Sequence, residues 1–161
     1  MELKTTNNGV VEEENKGSLE TVQYIVIRLG EEQYGIDICN IDNIVRMQHI
    51  TRVPKMPAFL KGVINLRGEV IPVISMRLKM GLADDEITKS TRIIVLKLEQ
   101  EGNVGFIVDE VKEVVTLTGN EIEKITYNTK DEKTNLINAV GKHNGELISL
   151  FDLNAISLEA N

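Results

Sequence analysis

Short runs of Val and Ile, broken every few residues by glycine or charge, set the pattern of this chain. Residues 24–29, 34–38, 63–66, 70–74, 93–98, 104–108, 111–117 and 147–151 read as strands. β-Branched residues fit a pleated surface, and these runs are too short for buried helices. Helical signals are brief. Ser75 is placed to cap a turn over 76–80, and Asp152 one over 153–157. Thr118-Gly119-Asn120-Glu121 has the Thr-x-x-Glu form of a capping box ahead of Ile122 and Ile125. Pro54 and Pro57 mark an irregular connection after Thr51. The pattern predicts an all-β protein with a few short helices.

An internal repeat organises the strands. Tyr24-Ile25-Val26-Ile27-Arg28-Leu29 is echoed by Ile93-Ile94-Val95-Leu96-Lys97-Leu98, and Tyr34-Gly35-Ile36 by Val104-Gly105-Phe106. Ile41–Val45 is matched to Val111–Val115. Gly68-Glu69-Val70-Ile71-Pro72-Val73-Ile74 finds a partner in Gly145-Glu146-Leu147-Ile148-Ser149-Leu150-Phe151. Matches in the same order in both halves point to two copies of one small β-unit. Each copy is only about 60–70 residues, marginal for an independent core, so the two lobes are expected to share a hydrophobic seam. The expected division is a tail over 1–18 and a domain over 19–158. Within the domain, a first lobe spans roughly 30–84 and a second roughly 90–158, with the strand near 22–29 crossing between them. The acidic stretch Ala83-Asp84-Asp85-Glu86 is placed at the crossing or in a turn beside it.

Composition narrows the function. A net charge of −7 and a pI near 4.9 oppose nonspecific attraction to nucleic acid or anionic membrane. Aromatic content of 4% without Trp supplies no stacking platform for single strands. No apolar run approaches the roughly 20 residues that span a bilayer, and the N-terminus is polar, acidic and reads as disordered. One cysteine, Cys39, has no internal disulfide partner, and the expected compartment is the cytoplasm. His49 and His143 are isolated, so no metal site is expected. No nucleophile elbow, phosphate loop or dinucleotide fingerprint occurs, and neither catalysis nor a cofactor is expected.

The densest polar group surrounds the turn between residues 63–66 and 70–74: Lys61, Asn65, Arg67 and Glu69, with Gly62 and Gly68 among them. As a solvated turn its ion pairs are worth at most about 1 kcal/mol. The repeat separates scaffold from the rest. Gly68-Glu69 recurs as Gly145-Glu146, whereas Asn65 and Arg67 are replaced by Lys142 and Asn144. Arg67 is therefore the side chain whose presence the turn alone does not explain.

Tyr34-Gly35-Ile36-Asp37-Ile38, Ile50-Thr51-Arg52-Val53-Pro54, Phe59-Leu60-Lys61-Gly62-Val63-Ile64-Asn65-Leu66-Arg67-Gly68 and Val70-Ile71-Pro72-Val73-Ile74 resemble the signature of CheW, the bacterial chemotaxis coupling family. The resemblance runs from about Val22 to Leu158. It implies two five-stranded β-barrel lobes packed around a shared core. It also implies a non-catalytic adaptor that binds chemoreceptor cytoplasmic tips and the regulatory domain of the CheA histidine kinase. Carried over position by position, Arg67, Lys61, Gly62, Asn65 and Gly68 fall on the coupling block, with Glu69 beside it. The receptor helix tip is expected in an apolar groove between the lobes, and the kinase on exposed barrel ends. After Ile38 the family usually shows an apolar residue, a variable one and a glutamate. Here these are Ile41, Asp42 and Asn43, and Asp42 points to the other strand face. A CheW-like module of a larger protein, either a CheV-type adaptor or a kinase regulatory domain, carries the same motifs. A barrel enzyme would instead need titratable groups converging in a pocket.

Overall fold

The computed structural model describes residues 20–125 and 136–158; the acidic tail expected over 1–18 lies outside them. The strands are β1 (Thr21–Leu29), β2 (Glu32–Asp37), β3 (Ile41–Arg46), β4 (Leu60–Leu66), β5 (Glu69–Ser75), β6 (Arg92–Leu98), β7 (Gly102–Val108), β8 (Glu110–Thr118), β9 (Ile122–Lys124), β10 (Ile137–His143) and β11 (Glu146–Phe151). One short helix, α1 (Met76–Lys79), follows β5, with the Ser75 hydroxyl accepting from the Leu78 N–H at 3.1 Å as its cap. The chain is all-β, as its apolar pattern predicts.

Two sheets form, in the orders β8-β1-β2-β11-β10-β9 and β3-β6-β7-β5-β4. They are related by the repeat. In each, one antiparallel pair (β1-β2 or β6-β7) meets a hairpin (β10-β11 or β4-β5) through a parallel contact, Tyr34↔Ser149 in one and Gly105↔Val73 in the other. The sheets do not follow the ranges 30–84 and 90–158. β6 and β7 join β3, β4 and β5 from the first copy, while β1 and β2 join the strands of the second. Each sheet is completed by strands from the other half of the chain.

The expected closed five-stranded barrels are corrected. One sheet has six strands, and among the described residues no ladder joins β3 to β4 or β8 to β9. The sixth strand is β9, where the Thr118 box fails to start a helix. The Thr118 N–H does donate to Glu121 Oε1 at 2.8 Å, but only one 3₁₀ turn follows. Pairing of Glu123 and Lys124 with Val140 and Ala139 then claims the backbone, an override of local preference by tertiary contact. The β3–β4 gap is spanned by residues 47–59, which pair with β4 at an isolated bridge, Thr51 to Val63.

Three apolar clusters hold the sheets. The largest lies between them and takes Ile25, Ile27 and Leu29 from β1, Tyr34 and Ile36 from β2, Ile94, Leu96 and Leu98 from β6, and Val104, Phe106 and Val108 from β7. The alternate residues face inward on each sheet. Val26 packs with Leu117, Ile148 and Leu150, and Ile93 and Val95 with Ile71, Val73 and Ile107. β1 and β6 are therefore buried on both faces over much of their length, which is why they read as unbroken apolar runs rather than as alternating patterns. In the shared cluster the Phe151 ring stacks on Tyr34 at 5.1 Å and meets Phe106 edge-on at 6.5 Å.

Asp109 fastens the sheets where the chain passes from β7 to β8. Its side chain is only 10% exposed. The Arg77 fork grips the carboxylate through Nε at 3.0 Å and through Nη2, and the Gly30 N–H donates to it at 2.8 Å. Arg28 on β1 lies 3.5 Å away and also donates to Glu110 at 3.1 Å. Burial pushes the Asp109 carboxyl up, but the Arg77 hydrogen bond, the Gly30 N–H and the two arginine charges outweigh it and hold it below the usual carboxylate range. A carboxylate so depressed stabilises the fold fully above its unfolded value of about 3.9, and the contribution is lost as pH falls through the folded value. Asp109→Asn is expected to cost roughly 2–4 kcal/mol at neutral pH, because it leaves Arg77 without its anion. In denaturant titrations the deficit should narrow below about pH 4; a deficit independent of pH would contradict this role.

Candidate functional site

The β4–β5 hairpin closes with two residues at positive φ, Arg67 at 54° and Gly68 at 85°, between the paired Leu66 and Glu69. The β10–β11 hairpin does the same with Asn144 at 50° and Gly145 at 78°. Both are the mirror-image turns whose twist suits an antiparallel pair, and Asn-Gly is their favoured sequence. A Cβ on Gly68 would meet nothing within 4 Å, so its conformation rather than space demands glycine. Arg67 has no such excuse: a non-glycine residue in the left-handed region costs on the order of 1 kcal/mol or more, and Asn is among the few that tolerate it.

Neighbouring side chains fix the hairpin and leave Arg67 alone. Asn65 Oδ1 accepts from the Gly68 N–H at 3.0 Å, bracing the turn. Glu69 accepts from Asn103 Nδ2 on β7 at 3.2 and 3.0 Å. The Arg67 side chain is exposed, and among the described residues no hydrogen bond or ion pair is recorded to its guanidinium. It stands as five undirected donors in a planar fork, suited to a carboxylate on another molecule.

Lys61 and Gly62 lie at the other end of β4, one strand length away. Lys61 Nζ pairs with Asp84 at 2.8 Å, and that hydrogen bond leads the causes holding the Asp84 carboxyl below its ordinary value. Gly62 is buried at φ 144°. A Cβ there would come within 2.1 Å of the Thr51 carbonyl oxygen, which accepts from the Val63 N–H at 2.8 Å. Gly62 is thus required by the close approach of the 47–59 segment.

Ile41 and Asn43 occupy β3, at the opposite edge of the same sheet. Ile41 is half-buried against the shared core. Asn43 Oδ1 accepts from the Ile44 N–H at 2.9 Å and brings no charge. A bulge between Ile41 and Asn43 shifts the register against β6, and Asp42 lies 3.6 Å from Lys97. The structure gathers Asn65, Arg67, Gly68 and Glu69 at one tip and leaves Lys61, Gly62, Ile41 and Asn43 elsewhere.

Two concavities lie among the described residues. A cleft of about 440 Å³ opens at the seam between the sheets, lined by Asn40, Lys97, Leu98, Glu99, Leu153 and Asn154. Asn40, Lys97, Glu99 and Asn154 make this cleft mostly polar, which corrects the apolar groove expected between the lobes; only Leu98 and Leu153 are apolar. A larger groove of about 910 Å³ runs beside β4, between the 47–59 segment, Leu78 of α1 and Asp84–Ile87. The exposed side chains of Val53, Met56 and Ile87 belong to it. This second groove was not legible in the sequence, whose only hint was the Pro54 and Pro57 break.

The fold is a two-sheet β scaffold that displays a strained cationic hairpin. Residues 23–160 match the family model described as a CheW-like domain. The chemotaxis protein CheW of Helicobacter pylori is 35% identical over 95% of this chain and 90% of its own length. The chemotaxis protein CheW of Bacillus subtilis is 36% identical over 82% of this chain and 84% of its own. The crystal structure of the scaffolding protein TtCheW from Thermoanaerobacter tengcongensis superposes with a TM-score of 0.76 at 33% identity, covering 83% of this chain and 90% of that one. The chain belongs to the CheW family of chemotaxis scaffold proteins. No helix among the described residues is long and apolar enough to cross a membrane.

Two stability measurements follow from this geometry. Arg67→Asn is expected to stabilise the protein by about 0.5–1 kcal/mol by relieving the left-handed strain. Gly62→Ala is expected to destabilise it by about 3 kcal/mol, combining overpacking with backbone strain. Chemical denaturation reads both, and an Arg67→Asn variant weaker than wild type would show that Arg67 is itself a stabilising residue.

Proposed function

We propose that this protein is a non-catalytic adaptor that couples chemoreceptor cytoplasmic tips to the regulatory domain of the CheA histidine kinase. It works in the cytoplasm, at membrane-associated receptor arrays, so that receptor state controls kinase activity. Membership of the CheW family supports the reading. The observation that carries it is Arg67: exposed, without a recorded partner among the described residues, and held in a conformation that costs stability. A side chain kept against its local preference is explained by a partner outside the chain.

In this reading Arg67 is the anchor, Asn65 and Gly68 hold its turn in place, and Glu69 stands beside it. At the far end of β4, Gly62 admits the Thr51 carbonyl of the 47–59 segment and Lys61 ties the strand to Asp84. The receptor helix tip lies along the seam cleft, against Leu98 and Leu153 and the polar Asn40, Lys97, Glu99 and Asn154, in a helix-in-groove mode. Asn43 on β3 brings no charge of its own. The net charge of −7 works against long-range attraction to an acidic partner, so the arginine contact acts at short range.

Arg67→Glu tests this. The variant should keep its circular dichroism and melting behaviour but lose about tenfold or more in affinity, since a desolvated charge pair becomes a like-charge contact. The assay is co-sedimentation with a receptor tip fragment and the CheA regulatory domain. Binding as tight as wild type would remove Arg67 from the interface; an unfolded variant would make it structural.

A further inference from the structure

We infer that Asn103 is a positioning residue, which draws the Glu69 carboxylate sideways onto β7 and so keeps the Arg67 guanidinium free for a partner. The inference rests on the proposed role of Arg67 in partner contact.

Arg67 and Glu69 flank Gly68 on one tight turn and carry opposite charges, so they are natural partners for each other. Such a pair would occupy the fork that an incoming carboxylate needs. The structure avoids it through sheet order, because β5 lies between β4 and β7. Asn103 pulls Glu69 towards β7, away from the strand that leads into Arg67, with one amide nitrogen meeting both carboxylate oxygens at 3.2 and 3.0 Å. The amide is neutral. It holds an anion without adding a second cation beside the arginine.

The other sheet repeats the device. Gln33 on β2 donates to Glu146 on β11 at 2.8 Å. Extending the parallel registers places Asn103 opposite Ile71 and Gln33 opposite Ile148, each two residues beyond the glutamate it holds. The amide–glutamate clamp is therefore a property of the duplicated unit. Only in the β4–β5 hairpin does it stand beside an arginine, since Asn144 occupies the tip of the other. The Gln33 clamp thus serves as an internal control, with the same local bond and no guanidinium to release.

The test uses the full chain with Asn103→Ala, Asn103→Ala/Glu69→Gln and Gln33→Ala, and the CheA regulatory domain as probe. Asn103→Ala should weaken binding about three- to fivefold, the scale of one exposed ion pair formed in competition. Adding Glu69→Gln should restore it, and Gln33→Ala should leave it unchanged. In the free protein, NMR of the Arg67 Nε–H should show slowed exchange in Asn103→Ala and fast exchange in wild type and in the double variant. Binding by the double variant as weak as that of Asn103→Ala, an equal loss in Gln33→Ala, or unaltered Arg67 exchange in free Asn103→Ala would each overturn the inference. The NMR arm needs no partner, so it stands or falls separately from the proposed interface.

Discussion

Everything in this molecule depends on β1 and β6 being buried on both faces. Each strand gives alternate side chains to its own sheet's interior and to the cluster between the sheets. Such a strand has no stable home in a half-chain, because neither copy of the repeat supplies both faces. The strand exchange solves this: β6-β7 joins a hairpin and one edge strand from the opposite half, and β1-β2 a hairpin and two. Long-range pairing of this kind pays its loop-closure entropy before the contacts form, so the two sheets depend on each other for stability. The Asp109 cluster sits at the crossing from β7 to β8, bonding to Arg28 and Gly30 on one side and Arg77 on the other.

Much of this was legible in the residues, for identifiable reasons. Double-sided burial writes itself as Ile25-Val26-Ile27 and Ile93-Ile94-Val95-Leu96, runs that few other environments tolerate. Gly35 and Gly105 recur because a Cβ at either would press on Leu150 or Ile93, at 2.7 and 2.8 Å. What escaped depended on tertiary partners. β10 mixes Asn138, Gly141 and Lys142 with its apolar residues, and becomes a strand because β9 and β11 flank it. β9 follows a sound capping box and is a strand all the same. Lobe boundaries drawn along the chain could not reveal an exchange of strands, since each copy looks complete in one dimension.

At the site, the repeat separated scaffold from exception. Gly68 and Glu69 have counterparts in Gly145 and Glu146, in conformation and in clamp alike. Arg67 has its counterpart in Asn144, the residue that such a turn prefers. One fold thus contains both the relaxed and the strained version of a single turn, and they differ at the residue to which we have proposed a coupling role. The sequence marked Lys61 and Gly62 with the same block, yet they lie a strand length away, where Gly62 admits the Thr51 carbonyl. Proximity along a motif was a poor guide to proximity in space, because an extended strand moves about 3.3 Å per residue.

The central claim is that Arg67 is kept for a partner at the expense of stability. The most direct measurement places Asn, Gly, Ala and Lys in turn at position 67 and records unfolding free energy and affinity for the CheA regulatory domain on the same samples. The account predicts opposition. Asn and Gly should be the most stable variants and among the weakest binders, while Lys should keep part of the affinity without the stability. Stability and affinity falling together across the series would contradict it, and would make Arg67 part of the hairpin's own structure.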